Sequence, residues 1–148
     1  MKQTPNGFTL IENLVVLSIL ATLILLPLVR IPHEMSPDYQ SDFAAQQIKA
    51  DLLLAQQVAM SSGRPTSVRF DNTRKEYLIR FSFYDVYLSK AYPLDEMRFE
   101  QGSLGTQSIG FLASGHPSRS GSFIIQAGNE RYHFTIYLGK GMISYTKL

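Results

Sequence analysis

Hydrophobic positions divide the chain into three regimes. From Phe8 to Val29 they follow one another almost continuously, interrupted by Thr9, Glu12, Asn13, Ser18, Thr22 and Pro27. A run of about 22 residues makes a helix of roughly 33 Å, enough to cross a hydrocarbon core of about 30 Å. Lys2 ahead of the run favours a cytoplasmic head with the remainder outside, a bias that Arg30 at the far end weakens. A secretory signal peptide would end in a small-residue cleavage site, yet the run passes into Leu25-Leu26-Pro27-Leu28-Val29-Arg30 without one. The apolar segment is therefore expected to stay attached, a buried core helix being the weaker alternative.

The second regime begins after Arg30-Ile31-Pro32-His33-Glu34-Met35-Ser36-Pro37, where Pro32 and Pro37 follow Pro27. Each proline removes a helical donor and crowds the preceding turn, so the helix is expected to kink or break over residues 30–37. Ser36, Pro37 and Asp38 then supply a capping hydroxyl, a first-turn proline and an early acid. Phe43, Ala44, Ile48, Leu52, Ala55 and Ala59 recur at helical spacing and predict one buried stripe, which Leu53 and Leu54 widen. Ser61-Ser62-Gly63-Arg64-Pro65 ends this helix.

From Thr66 the period changes to two. Val68 and Phe70, then Tyr77, Ile79 and Phe81, alternate around the polar stretch Asp71–Lys75, which reads as a hairpin. Further strands are expected at Val86–Leu88, Met97–Phe99, Ile109–Leu112, Ser122–Ala127 and Tyr132–Leu138, with Gly139-Lys140-Gly141 turning the last into Met142–Tyr145. Helices first and strands afterwards give an α+β fold: an N-terminal hydrophobic helix, then an amphipathic helix packed on an antiparallel β-sheet.

Composition adds two limits. The chain has no cysteine, which excludes disulfides, thiol chemistry and cysteine-ligated metal. Its net charge of +2 comes from interspersed signs, so no strong field singles out nucleic acid or acidic lipid as a partner.

Glu12 is the anomaly. A carboxylate within a spanning segment costs roughly 2.5–3.5 kcal/mol and usually marks a functional pairing. A polar head, Gly7, Phe8 and a glutamate four residues after it resemble the class III signal of type IV prepilins, so the chain is similar to type IV pilin-like proteins. The resemblance implies that a prepilin peptidase cuts between Gly7 and Phe8 and methylates the new amino terminus at Phe8. It implies also that Glu12 pairs with the terminal amine of a neighbouring subunit during assembly. The chain then divides into a leader at residues 1–7, a transmembrane and fibre-core helix at 8–29, the proline-rich break at 30–37 and an exported pilin-like domain at 38–148.

The carboxy-terminal third narrows the likeness. Phe111-Leu112-Ala113-Ser114-Gly115-His116-Pro117, Gly121-Ser122-Phe123-Ile124 and Phe134-Thr135-Ile136-Tyr137-Leu138-Gly139-Lys140-Gly141 resemble the ComGD family of competence pseudopilins in Gram-positive bacteria. They are more loosely similar to H-type minor pseudopilins of type II secretion. Pro27 is not where major pilins commonly kink, which disfavours a major pilin. The resemblance implies a non-enzymatic minor pseudopilin that helps build the transformation pilus for uptake of external DNA. Its implied partners are other pseudopilins, the prepilin peptidase, a membrane platform protein and a cytoplasmic ATPase. A secretion pseudopilin and a tip subunit that binds DNA directly are the alternatives.

No other chemistry stands out. His33, His116 and His133 lack metal-ligand spacing, with His116 expected to bond backbone in its loop; Ser114, Ser118 and Ser120 have no placed base. Asp95, Glu96 and Glu100 lack an ordered oxygen-ligand loop and read as a solvated turn. No metal or cofactor is expected. Arg69, Arg74, Lys75 and Arg80, with Tyr77 and Phe81 nearby, are candidate DNA contacts. Alternation with Val68, Phe70 and Ile79 also accounts for Arg69 and Arg80 as the solvent face of a half-buried hairpin.

Overall fold

Helix α1 (Leu10–Leu25) starts at a cap: the Thr9 hydroxyl accepts the Glu12 amide N–H at 3.4 Å. The computed structural model describes residues 9–25, 37–105, 108–139 and 142–148, in two units, Met1–Glu34 and Met35–Leu148. The 16 residues of α1 make a helix of about 24 Å. Among the described residues no helix is long and apolar enough to cross a membrane. Phe8 and residues 26–29 of the expected span lie outside the described residues, as does the proline-rich break apart from Pro37.

The second unit opens with α2 (Pro37–Ser62), which carries Pro37 and Asp38 in its first turn and ends at Gly63, whose φ of 64° suits a helix-terminating glycine. Ala44, Ile48, Leu52, Ala55 and Ala59 are buried as the spacing predicts, joined by Ala45 and Val58. Phe43 is the correction: it is 56% exposed, one step off the stripe that its neighbour Ala44 leads. Leu54 packs against the core whereas Leu53 lies exposed. Alanine at four of the buried positions lets the strands approach the helix closely.

Eight strands follow: β1 (Thr66–Asp71), β2 (Glu76–Arg80), β3 (Val86–Ala91), β4 (Arg98–Gln101), β5 (Ser108–Phe111), β6 (Gly121–Ala127), β7 (Glu130–Ile136) and β8 (Ile143–Lys147). The single sheet expected from the pattern is divided into two four-stranded antiparallel sheets, ordered β3-β2-β1-β5 and β4-β6-β7-β8. Alternation shows which face of a strand is apolar but not which strand it pairs with, and β5 returns across the fold to pair with β1. Strand β7 starts two residues earlier than predicted, because Gly128 and Asn129 close a two-residue hairpin that pairs Ala127 with Glu130. Gly128 has the positive φ, 60°, that the first position of such a turn requires.

The aromatic core joins the sheets. Phe99, Phe123, Phe134 and Tyr145 stack in succession across β4, β6, β7 and β8, with centroids 5.2, 4.9 and 5.1 Å apart. Phe70 of β1 stacks on Phe99 at 4.7 Å and brings the other sheet into the row. Asn72 reinforces this junction from the β1–β2 turn: its amide nitrogen donates to the Phe99 carbonyl and its amide oxygen accepts the Phe99 N–H, both at 2.8 Å. The side chain thus supplies the outer edge of β4 with the pairing a further strand would give.

Two acid–tyrosine contacts fasten α2 to both sheets. Tyr132 of β7 donates to Asp42 at 2.5 Å, and Tyr77 of β2 donates to buried Asp51, which also receives Lys90 Nζ at 2.6 Å. Burial foremost, then the neighbouring carboxylate, holds both phenols above their ordinary range, so they remain donors. An Asp51→Ala substitution removes the acceptor of the buried Tyr77 O–H, which keeps only the Gln47 amide at 3.5 Å on its oxygen, while Lys90, about one-third exposed, can turn to water. The expected loss is about 2–3 kcal/mol, read as a lower urea midpoint at unchanged slope. Asp51→Asn keeps an acceptor and is expected to lose less.

Candidate functional site

Two surfaces carry the residues singled out by sequence. The first is α1. Glu12 occupies its first turn, and Gly7 and Phe8 lie outside the described residues. Every described side chain from Thr9 to Ile24 is exposed, including Leu10, Ile11, Leu17 and Ile24, so no face of the helix is buried within its own unit. Its interior hydroxyls are satisfied internally: Ser18 donates to the Leu14 carbonyl at 2.6 Å and Thr22 to the Ser18 carbonyl at 2.8 Å. A helix with apolar side chains on every side, and with its Ser18 and Thr22 hydroxyls folded back on its own carbonyls, suits lipid or a bundle of similar helices. Thr9-Leu10-Ile11-Glu12 also has the Thr-x-x-Glu spacing of a capping box, a local role for Glu12 that the sequence signalled as clearly as the prepilin motif.

The second surface is the outer face of the β1–β2–β3 sheet. Val68, Phe70, Tyr77 and Ile79 point inward, leaving Arg69 and Arg80 outward on adjacent strands. Register pairs Arg69 with Leu78 and Ser67 with Arg80, so the two arginines are diagonal neighbours. Arg74, in the turn, joins them along a groove of about 340 Å³ with Asp71, Glu76 and Phe83. The turn itself is fixed by Asp71, whose Oδ1 accepts the Thr73 and Arg74 N–H groups at 2.9 and 3.1 Å. The Arg74 N–H foremost lowers the Asp71 pKa, so this brace is complete above the ordinary carboxylate range and is lost as pH falls through the lowered value.

Lys75 departs from this group. Its backbone has φ of 55°, and its Nζ donates to the Met97 carbonyl at 3.1 Å, facing Asp95, Glu96 and Arg98 rather than the arginine groove. Hydropathy periodicity could not reveal this, because a left-handed residue interrupts the alternation. Periodicity also missed the loop after β2, where Phe83 and Tyr84 are 68% and 93% exposed.

The remaining candidates disperse. Glu100 pairs with Arg131 at 2.5 Å, away from Asp95 and Glu96, which line a separate hollow with Asp38 and Glu130. His116 bonds the Ser114 hydroxyl at 3.1 Å rather than backbone, and its carbonyl accepts the Leu112 N–H in the same turn. His33 lies outside the described residues. Among the described residues no group of three or more histidine, cysteine or acidic side chains is placed to hold a metal.

Comparison with known proteins resolves the family. Residues 4–26 match the prokaryotic N-terminal methylation motif, and residues 44–140 match the family model of type II transport protein GspH. The competence protein ComGD of Bacillus subtilis (strain 168) is 31% identical over 142 residues, covering 94% of this chain and 92% of that protein. In fold, the chain is similar to the type IV minor pilin FimU of Pseudomonas aeruginosa, with a TM-score of 0.60 at 17% identity, covering 74% of this chain and 90% of that one. It is also similar to the minor pseudopilin EpsH from the type 2 secretion system of Vibrio cholerae, with a TM-score of 0.52 at 19% identity, covering 72% and 96%. The order of helices followed by antiparallel strands is thus a pilin architecture, and the chain belongs to the GspH family of type IV pilin-like proteins as a minor pseudopilin close to ComGD.

Proposed function

We propose that this minor pseudopilin is a structural, non-catalytic subunit of the competence fibre through which external DNA is taken up. The observation that carries the assembly part is α1, whose apolar side chains are exposed on every side within its own unit. Lipid covers such a helix before assembly, and neighbouring α1 helices cover it afterwards; at about 25 cal/mol per Å² of apolar surface, that second burial sustains a filament. Residues 1–7 are the leader, cut between Gly7 and Phe8 by the prepilin peptidase, with Phe8 then methylated. Residues 8–29 form the membrane anchor, residues 30–37 the break, and residues 38–148 the domain held outside the cell membrane and carried to the surface. Glu12 pairs with the amino terminus of an adjacent subunit, and the platform protein and ATPase act on the assembling fibre from the membrane and cytoplasm.

The likeness to ComGD favours transformation over secretion, and the GspH match keeps a secretion fibre as the second reading. Deleting the gene in a competent host is expected to abolish transformation, with restoration by the wild-type copy. Unchanged transformation together with lost export of a secreted protein would assign the chain to the secretion fibre.

A further inference from the structure

We infer that the outer face of the β1–β2–β3 sheet and the loop between β2 and β3 bind a nucleic acid strand with accessible bases: Arg69, Arg74 and Arg80 hold phosphates, and Phe83 and Tyr84 stack on bases. The surface rests on the competence reading for its biological ligand, whereas its chemistry rests on these residues.

The loop is built rather than slack. The Phe81 N–H donates to the Asp85 carbonyl at 2.9 Å and closes it at the base. Arg64 braces the same base, its guanidinium 4.3 Å from the Phe81 ring centroid and 2.6 Å from Asp85 Oδ2. The Phe83 and Tyr84 rings meet edge to face at 5.1 Å, displayed to solvent at the tip. Fixing two large aromatic rings in water has an energetic cost unless a ligand covers them, and bases offer a sequence-independent cover. The Arg80 guanidinium lies 5.7 Å from the Phe83 centroid, so cation and ring are already side by side, as a phosphate and its base are.

Charge in the groove favours an anion. Asp71 spends one oxygen on its own turn, and Glu76 faces Arg74 at 3.7 Å and receives the Ser89 hydroxyl at 3.4 Å. Arg69 acts on Asp71 electrostatically, but among the described residues neither Arg69 nor Arg80 forms an ion pair, leaving two diagonal guanidiniums on the outer face beside the aromatic tip. Lys75 takes no part, because its ammonium is directed to the Met97 carbonyl.

The test uses the full chain in detergent micelles and the fluorescence anisotropy of a labelled 20-nucleotide oligothymidylate, with a blunt duplex of equal length alongside. The wild-type chain is expected to bind the single strand more tightly than the duplex, with affinity falling as salt rises. Phe83→Ala/Tyr84→Ala is expected to weaken single-strand binding by roughly tenfold or more and leave the salt slope unchanged. Arg69→Ser/Arg80→Ser is expected to flatten that slope by about 1.4, two phosphate contacts' worth. All four side chains point outward, so an unchanged melting curve verifies the fold of each variant. No binding by the wild type at low salt, or equal binding by the aromatic variant, would overturn the assignment. Loss of fibres in cells from the aromatic variant, with no oligonucleotide bound by the wild type, would overturn it in favour of a subunit contact. Transformation lost on gene deletion while the wild-type chain binds no strand would leave the competence role standing and remove only this surface.

Discussion

Truncating Phe123 to alanine is expected to destabilise the Met35–Leu148 unit by about 4 kcal/mol, among the largest single-site losses in the fold. Phe123 is fully buried at the centre of the aromatic row, stacked on Phe99 and Phe134 at 5.2 and 4.9 Å and 6.1 Å from Phe70 of the other sheet. Its removal takes away the transfer free energy of a large ring, opens a cavity where both sheets meet, and ends two stacked pairs, each worth about 0.5–1.5 kcal/mol. A domain of this size has about 5–15 kcal/mol in total, so the variant falls near the limit of folding at physiological temperature. The chain has no tryptophan, and its eight tyrosines all follow residue 38, so tyrosine emission during urea unfolding reports on this unit alone. Phe123→Leu is expected to lose much less. A loss below about 2 kcal/mol for alanine would show that neighbouring side chains collapse into the space.

That row also shows how far sequence could reach. Alternation placed Val68, Phe70, Tyr77 and Ile79 inward and the Asp71–Lys75 turn between them, because hairpin signals are local and the sheet period is two. The helical stripe was equally legible, with Phe43 misplaced by a single step. The split into two sheets was not legible. It depends on β5 choosing β1, and on Asn72 satisfying the edge of β4 across 27 residues of sequence, and neither contact leaves a periodic trace. The candidate site divides in the same way. Arg69 and Arg80 could be placed by strand period, but Lys75 sits at a left-handed turn position where that period fails. Phe83 and Tyr84 sit in a loop whose shape is set by Arg64, 19 residues before Phe83, so only the folded chain shows the rings and the arginines as one surface.

Glu12→Val is expected to reduce transformation to the level of the gene deletion while the chain still accumulates in the membrane. Two physical roles compete for this carboxylate, and they differ in what a glutamine can replace. As the third residue after the Thr9 cap, Glu12 stands at the capping-box position, where glutamine would serve nearly as well and the whole effect is about 1 kcal/mol of local helix stability. As the partner of a subunit's terminal ammonium, it must carry charge. Removing one member of an ion pair sheltered from water costs about 3–5 kcal/mol, a factor of roughly 10²–10³ or more at each assembly step. The charge-pair role therefore predicts that Glu12→Gln fails as completely as Glu12→Val. Valine is also more compatible with lipid than glutamate, so defective insertion does not explain its loss. Transformation frequency measured alongside membrane fractionation separates the two roles. If Glu12→Gln restores wild-type uptake, the residue is a helix cap and the pairing role is withdrawn; if both variants stay in the membrane and transform no better than the deletion, the charge is what admits the subunit to the fibre.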